Sequence, residues 1–202
     1  GGAGGMGGMG GIPSMHTGFG GPGGMGGMSG MGGPATPPRY DAIPPGTRVS
    51  LKGLVSAADR NGDTGIVKRF MEQSGRYVVE LEDTDETMSV KPSNILQYAR
   101  VRVAGIESQP QLNGKTGTII AWNANTERYN IYLSTDKRVV SLKPSNVILD
   151  NGTVGQVTGL SSKPELNGRW GTVKEWIRES NKYDIQLSAD KIIRIKVENV
   201  RI

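Results

Sequence analysis

The sequence predicts an all-β protein in which one small five-stranded unit is used three times, behind a low-complexity N-terminal segment. Three observations carry that prediction. One phrase is written three times: Asn61-Gly62-Asp63-Thr64-Gly65-Ile66-Val67, Asn113-Gly114-Lys115-Thr116-Gly117-Thr118-Ile119 and Asn167-Gly168-Arg169-Trp170-Gly171-Thr172-Val173. Each copy is followed by a basic residue and a tyrosine opening an alternating run, at Arg76-Tyr77, Arg128-Tyr129 and Lys182-Tyr183, so the tyrosines recur 52 and then 54 residues apart. Each copy closes on similar words: Lys91-Pro92-Ser93-Asn94-Ile95, Lys143-Pro144-Ser145-Asn146-Val147 and Lys196-Val197-Glu198-Asn199-Val200. A fixed period of this size is one supersecondary unit repeated, because each copy must solve the same local packing problem.

The second copy shows the elements most clearly. Arg100-Val101-Arg102-Val103 alternates and reads as a strand with its valines inward. A loop over Glu107 to Leu112 contains Pro110. Asn113-Gly114 predicts a tight turn, since both residues tolerate positive φ. Gly117 opens the next strand, Thr118 to Trp122, and Asn123 to Glu127 reads as a hairpin loop. Tyr129, Ile131 and Leu133 then share one strand face, with Asn130 and Tyr132 on the other. Val140 and Leu142 alternate again. Pro144-Ser145-Asn146 is too short for an α-helix and fits a single 3₁₀ turn, after which Val147 and Ile148 form a last short strand. The other copies follow position by position. The predicted core is therefore Val79, Ile131 and Ile185, then Leu81, Leu133 and Leu187, then Val90, Leu142 and Ile195. In the third copy Val197-Glu198 replaces Pro-Ser, which leaves room for a different turn.

One spacing breaks the alternation. Phe70, Trp122 and Trp176 each stand three residues after an apolar strand position: Val67, Ile119 and Val173. Odd spacing on a regular strand places two side chains on opposite faces. Either a bulge intervenes, or the aromatics face outward or into a neighbouring copy.

The copies occupy residues 41–97, 98–150 and 151–202. Residues 1–40 differ in kind: they hold 18 of the 31 glycines and six of the eight methionines, with no acidic residue. Such a segment buries too little apolar surface to offset its ordering entropy, and disorder in isolation is expected. The links between copies are too short for free beads, so neighbours are expected to touch. The net charge of +5 is uneven. Residues 41–97 carry 7 basic and 9 acidic groups, residues 98–150 carry 7 and 4, and residues 151–202 carry 9 and 6. Only the last two copies suit an acidic partner.

The chain contains no cysteine, which excludes disulfides, zinc fingers and thiol chemistry. No apolar run approaches the roughly 18 residues of a membrane span. Association with a membrane-bound complex stays open. The sequence begins on Gly1 and shows no signal peptide. An intracellular chain that has lost a targeting peptide, chloroplast or mitochondrial included, fits that start, and the compartment is otherwise left open.

With these residues in view, the unit resembles the KOW-type small barrels of transcription elongation factors and ribosomal proteins, which are of the Src-homology-3-like (SH3-like) type. The words that carry the resemblance are Arg100-Val101-Arg102-Val103, Leu112-Asn113-Gly114-Lys115-Thr116-Gly117-Thr118-Ile119 and Leu166-Asn167-Gly168-Arg169-Trp170-Gly171-Thr172-Val173. The same pattern is similar to the small stromal barrel subunit of photosystem I. The resemblance covers about residues 46–202 and implies three tandem SH3-like five-stranded barrels. The repeats Gly4-Gly5-Met6-Gly7-Gly8-Met9 look like chaperonin and Hsp70-type tails, and Phe19 among glycines looks like the linker of J-domain co-chaperones. That likeness implies a chaperone-linked client-binding region, although no His-Pro-Asp is present.

Catalysis is not expected. The one histidine, His16, stands alone in the tail, removing Ser-His-Asp chemistry and histidine metal sites. The run Glu80-Leu81-Glu82-Asp83-Thr84-Asp85-Glu86 lacks the ligand spacing of a calcium loop and reads as a solvated hairpin tip. The glycine turns lack the Gly-Lys-Ser/Thr of a phosphate loop. No cofactor or metal is expected. The candidate partner-binding residues are the aromatics Phe70, Trp122, Tyr132, Trp170 and Trp176 and the cations Lys115, Lys137, Arg138, Arg169, Lys174 and Arg178. Aromatics among cations suit single-stranded RNA, which stacks its bases and pairs its phosphates. They suit protein contacts equally. The reading is a non-catalytic scaffolding subunit with protein partners in a multi-subunit assembly. RNA or ribosome binding through the second and third copies is the alternative.

Overall fold

The computed structural model describes residues 38–202. The expected disorder of the Gly/Met-rich tail falls, up to position 37, outside the described residues. From there on the chain is all-β: three five-stranded antiparallel sheets joined by loops and 3₁₀ turns, with no α-helix among the described residues. Repeat 1 comprises β1 (Arg48–Leu51), β2 (Thr64–Met71), β3 (Arg76–Leu81), β4 (Thr87–Val90) and β5 (Ile95–Gln97). Repeat 2 comprises β6 (Arg100–Val103), β7 (Thr116–Asn123), β8 (Arg128–Leu133), β9 (Arg138–Leu142) and β10 (Val147–Leu149). Repeat 3 comprises β11 (Val154–Val157), β12 (Trp170–Ile177), β13 (Lys182–Ser188), β14 (Lys191–Lys196) and β15 (Val200–Arg201). Each sheet is a meander whose fifth strand returns to pair with the first.

Alternation sets the faces. Val101 and Val103 are buried and Arg100 and Arg102 exposed on β6. Tyr129, Ile131 and Leu133 point inward from β8. All nine predicted core residues are buried.

The repeated phrase is explained residue by residue, with one correction. Gly62, Gly114 and Gly168 have φ of +98°, +84° and +85°. The asparagines before them do not share the positive φ expected of the pair: Asn113 and Asn167 sit at −62°. Asparagine is present for its side chain. Asn113 Oδ1 accepts the Ile106 N–H at 2.9 Å, and its Nδ2 donates to the Ile106 carbonyl at 2.8 Å. Asn61 closes the same loop on Leu54, and Asn167 on Leu160. The second glycine of each phrase serves close approach. A Cβ on Gly65, Gly117 or Gly171 would lie 2.5, 2.7 or 2.6 Å from atoms of the facing strand.

The closing words form one 3₁₀ turn in every copy: Pro92–Asn94, Pro144–Asn146 and Val197–Asn199. The different turn allowed for in the third copy is not found. Val197 takes the buried place of Pro144, and the shared asparagine ties the turn down. Asn146 Nδ2 donates to the carbonyls of Ala104 at 3.0 Å and Gly105 at 2.9 Å. Asn94 does so to Lys52 and Gly53, and Asn199 to Thr158.

The odd spacing is resolved by bulges. The β2/β3, β7/β8 and β12/β13 registers each shift after Val67, Ile119 and Val173. An extra residue returns the following aromatic to the core side. Phe70 tilts against Tyr77 and Trp122 against Tyr129, with ring centroids 4.8 Å apart in each pair.

The repeats touch, as their short links require. Repeats 2 and 3 share one continuous core, which Leu96 and Ala99 extend. Repeat 1 has its own core, against which Val154 and Trp170 of repeat 3 pack. Tyrosines tie the repeats together. Tyr183 Oη of repeat 3 accepts the N–H of Leu149 at 2.7 Å and donates to the Val147 carbonyl at 3.2 Å, both at the end of repeat 2. Tyr129 Oη of repeat 2 accepts the N–H of Ile202, just after the last strand of repeat 3, at 3.1 Å. Leu149 and Ile202 hold equivalent positions, so this interface is self-complementary in the manner of a two-fold dimer.

Candidate functional site

Residues that the fold does not consume are the ones free to bind. Most of the predicted aromatics are consumed. Trp122 covers Tyr129. Trp170 is half-buried against the core of repeat 1. Phe70 lies beneath the guanidinium of Arg39, 4.9 Å from its centroid. Together with Arg169, Phe70 and Trp170 line a hollow of about 290 Å³ at the seam of repeats 1 and 3. Lys174 is exposed on β12 and joins no cluster with the others.

Four predicted residues do come together: Tyr132, Lys137 and Arg138 on the β8–β9 hairpin of repeat 2, and Lys115, just before β7, which reaches its turn. Register pairs Tyr132 with Val139 and Leu133 with Arg138. Tyr132 is 41% and Val139 51% exposed, both large for apolar side chains set side by side. The turn between them carries Asp136 and Lys137, the latter at φ +51°. Lys115 Nζ reaches both Asp136 oxygens at 2.6 Å, and Arg138 Nε stands 3.6 Å away. The hydrogen bond from Lys115 holds the Asp136 carboxyl below the usual carboxylate range. Asp136 thus occupies Lys115 and fixes the turn. Lys137 makes no ion pair among the described residues.

Cross-strand pairing extends this patch into a row on the outer face: Arg100, Thr118, Tyr132, Val139. The equivalent rows differ. Repeat 1 has Arg48, Ile66, Glu80 and Thr87. There Arg48 chelates Glu82 at 2.8 and 2.7 Å and lies over the Tyr98 ring, which holds the Glu82 carboxyl below its usual range. Lys68 pairs with Glu80 and Arg60 with Glu86, so the acidic run is partly neutralised. Repeat 3 has Val154, Thr172, Gln186 and Ile192. Val154 is buried there, and Thr172 Oγ1 donates to the Tyr40 carbonyl at 2.7 Å. Its covered end leaves Ile192 exposed at the other.

A second feature lies between repeats 2 and 3. Trp176, Arg178 and Asn181 of repeat 3 face Arg102, Asn113 and Ser145 of repeat 2 around a hollow of about 410 Å³. Trp176 Nε1 donates to Asn181 Oδ1 at 3.1 Å, fixing the indole edge. Arg102 and Arg178 are exposed and make no ion pair among the described residues. Among those residues no cluster of three His, Cys, Asp or Glu could hold a metal ion. No described helix is long and apolar enough to cross a membrane.

Sequence reasoning missed the tyrosine sockets and the asparagine clamps. Their signal was present: those residues stay fixed across the three copies while their neighbours change. Set against protein-family models and against curated proteins, the chain matches none.

Proposed function

We propose that this chain is a non-catalytic scaffolding component of a larger assembly, built from three tandem SH3-like barrels and binding a protein partner through the outer face of the β8–β9 hairpin. The supporting observation is the exposed Tyr132–Val139 pair, with Arg100 at the end of the same row and Lys137 on the adjoining turn. An apolar centre with a cationic rim suits an amphipathic acidic segment, because the aromatic buries area while the rim supplies steering. The three outer rows differ, the first holding both a cation and a carboxylate, the second an exposed apolar pair with one cation and the third no charge, which favours three distinct contacts over one contact made three times.

The test is a full chain carrying Tyr132→Ala and Val139→Asp, recovered from its own source and sized natively. It is expected to run at its monomer mass, with its unfolding midpoint within a few degrees of the parent, while the parent runs larger. Exposed substitutions of this kind usually change stability by only about 0.5 kcal/mol. A parent chain that is itself a free monomer ends the proposal.

A second reading, single-stranded RNA binding, is favoured by one observation: the indole of Trp176 stands beside two unpaired guanidinium groups, Arg102 and Arg178. Stacking on an aromatic with cations on the backbone is the usual scheme. Single-strand binding loses about 0.7 in log-log salt slope per phosphate neutralised. Arg102→Ala with Arg178→Ala should therefore flatten that slope by about 1.4. An unchanged slope, or no RNA bound at low salt, removes this reading. The chaperone-linked reading rests on the Gly/Met tail, outside the described residues.

A further inference from the structure

The tyrosine of each repeat sits at the floor of a socket that accepts one backbone N–H. Two sockets are filled by ends of neighbouring repeats, Leu149 on Tyr183 and Ile202 on Tyr129. The socket of repeat 1 is filled differently. Tyr77 Oη accepts the N–H of Ile43 at 2.9 Å, from a segment that lies before the first strand and belongs to no sheet.

Four of the bonds that fix the link between repeats 2 and 3 recur in that segment, while the bond from Tyr183 Oη to the Val147 carbonyl has no counterpart at Tyr77 among the described residues. These bonds align Asp41-Ala42-Ile43-Pro44-Pro45-Gly46-Thr47 in register with Val147-Ile148-Leu149-Asp150-Asn151-Gly152-Thr153. Ile43 and Leu149 are 4% and 5% exposed. Gly46 and Gly152 turn at φ +85° and +88°. Gly46 N donates to Val67 O at 2.7 Å, and Gly152 N to Val173 O at 2.8 Å. Val67 N donates to Thr47 O at 2.9 Å, and Val173 N to Thr153 O at 2.8 Å. Thr47 N and Thr153 N donate to Pro44 O and Asp150 O at 3.3 and 3.2 Å. Only Gly-Thr is shared in sequence, so the likeness is one of geometry. Shared ancestry of letters is not needed to see it.

We infer that the Tyr77 socket is an acceptor site for the closing strand of a repeat of this kind, and that residues 41–47 occupy it in place of a further repeat. The ligand class is an extended peptide: a small or aliphatic residue, then Ile or Leu, then a turn ending in Gly-Thr. Recognition is by one N–H given to a buried hydroxyl, two buried side chains and the left-handed glycine. The segment is also held from its far side, where Arg39 covers Phe70 and Thr172 holds the Tyr40 carbonyl. None of those contacts is a sheet ladder, so a matching strand can take its place. Repeat 1 is therefore the receptive end of the array.

The test uses a full chain carrying Ala42→Gly and Ile43→Gly, with a fluorescent peptide of residues 38–47 as probe. Anisotropy should show the probe binding this chain at least tenfold more tightly than the intact chain, whose socket is filled. An unlabelled peptide of residues 145–153 should compete. N-methylation at Ile43 of the probe should weaken it about tenfold, by removing the hydrogen bond to Tyr77. Equal binding to both chains, no binding, or no competition overturns the inference. Should the glycine chain not fold, hydrogen exchange on the intact chain decides. The amides of Ile43 and Leu149 are expected to be protected alike. Free exchange at Ile43 beside protection at Leu149 overturns it.

Discussion

Gly65→Ala is expected to cost about 3 kcal/mol of stability, the upper end of the range for overpacking. The reason is steric, since Gly65 is not among the residues with positive φ. Its added Cβ would lie 2.5 Å from the Glu80 carbonyl oxygen and 2.6 Å from Val79 Cγ1. Neither can withdraw. Glu80 pairs with Ile66 across β2 and β3, and Val79 is fully buried. The strands would have to part, carrying the bulge and the aromatic beyond it. Gly62→Ala is the control. Its Cβ would meet open space, but φ is +98°. Left-handed strain of about 1 kcal/mol is expected there. Urea unfolding of both variants measures the difference. The reverse order would mean that the second glycine of the phrase serves conformation and not close approach.

The second large effect is at Tyr183. Removing only its hydroxyl, by Tyr183→Phe, should cost about 2 kcal/mol, because the Leu149 N–H stays buried and loses its acceptor. Tyr183→Ala should cost about 4 kcal/mol, adding the loss of a large fully buried side chain. Since the bonds span repeats 2 and 3, the alanine chain should unfold in two steps where the parent unfolds in one. A single transition in both would show that the shared core couples the repeats without these bonds. Burial raises the Tyr77, Tyr129 and Tyr183 hydroxyls above their ordinary value. An unfolded tyrosine ionises near about pH 10. Above that pH the folded chain holds protons that the unfolded chain has lost. The stability these groups contribute is therefore complete below about pH 10 and is lost as pH rises toward their folded values. Lys52, pulled down by burial, acts in the opposite sense, but it is one group against three. Alkaline unfolding followed by tyrosinate absorbance should show three of the six tyrosines released only as the chain unfolds. Tyr183→Phe should flatten the pH dependence.

Much of the fold was legible because its cause is local. Alternation in Tyr129-Asn130-Ile131-Tyr132-Leu133 sets which side chains enter the core, and repetition shows where each strand recurs. The bulges were visible only as an odd spacing, since a one-residue shift leaves no composition signal. The role of Asn113 was misread because two properties of asparagine, tolerance of positive φ and a side-chain amide, predict the same letter. The candidate site was less legible still. A Trp stacked on a socket tyrosine and a Trp edging a hollow are the same residue in sequence, and only long-range packing separates Trp122 from Trp176. Lys115 was singled out for its charge, but Asp136, 21 residues on, claims it. Tyr132 stood out correctly as outward-facing, yet its partner Val139 did not, because pairing across a hairpin depends on the turn.

The reciprocal contacts between repeats 2 and 3 change what the peptide link between them is for. Leu149 is held by Tyr183, and Ile202 by Tyr129, so each half carries the piece that completes the other. Asp150 is bonded to Arg100 of repeat 2 and Gly152 to Val173 of repeat 3, so the link joins two pieces that are each anchored in their own repeat. A cut at the exposed Asp150–Asn151 bond would leave two fragments with matched ends and one core to rebuild, the conditions under which split halves find each other and reassemble.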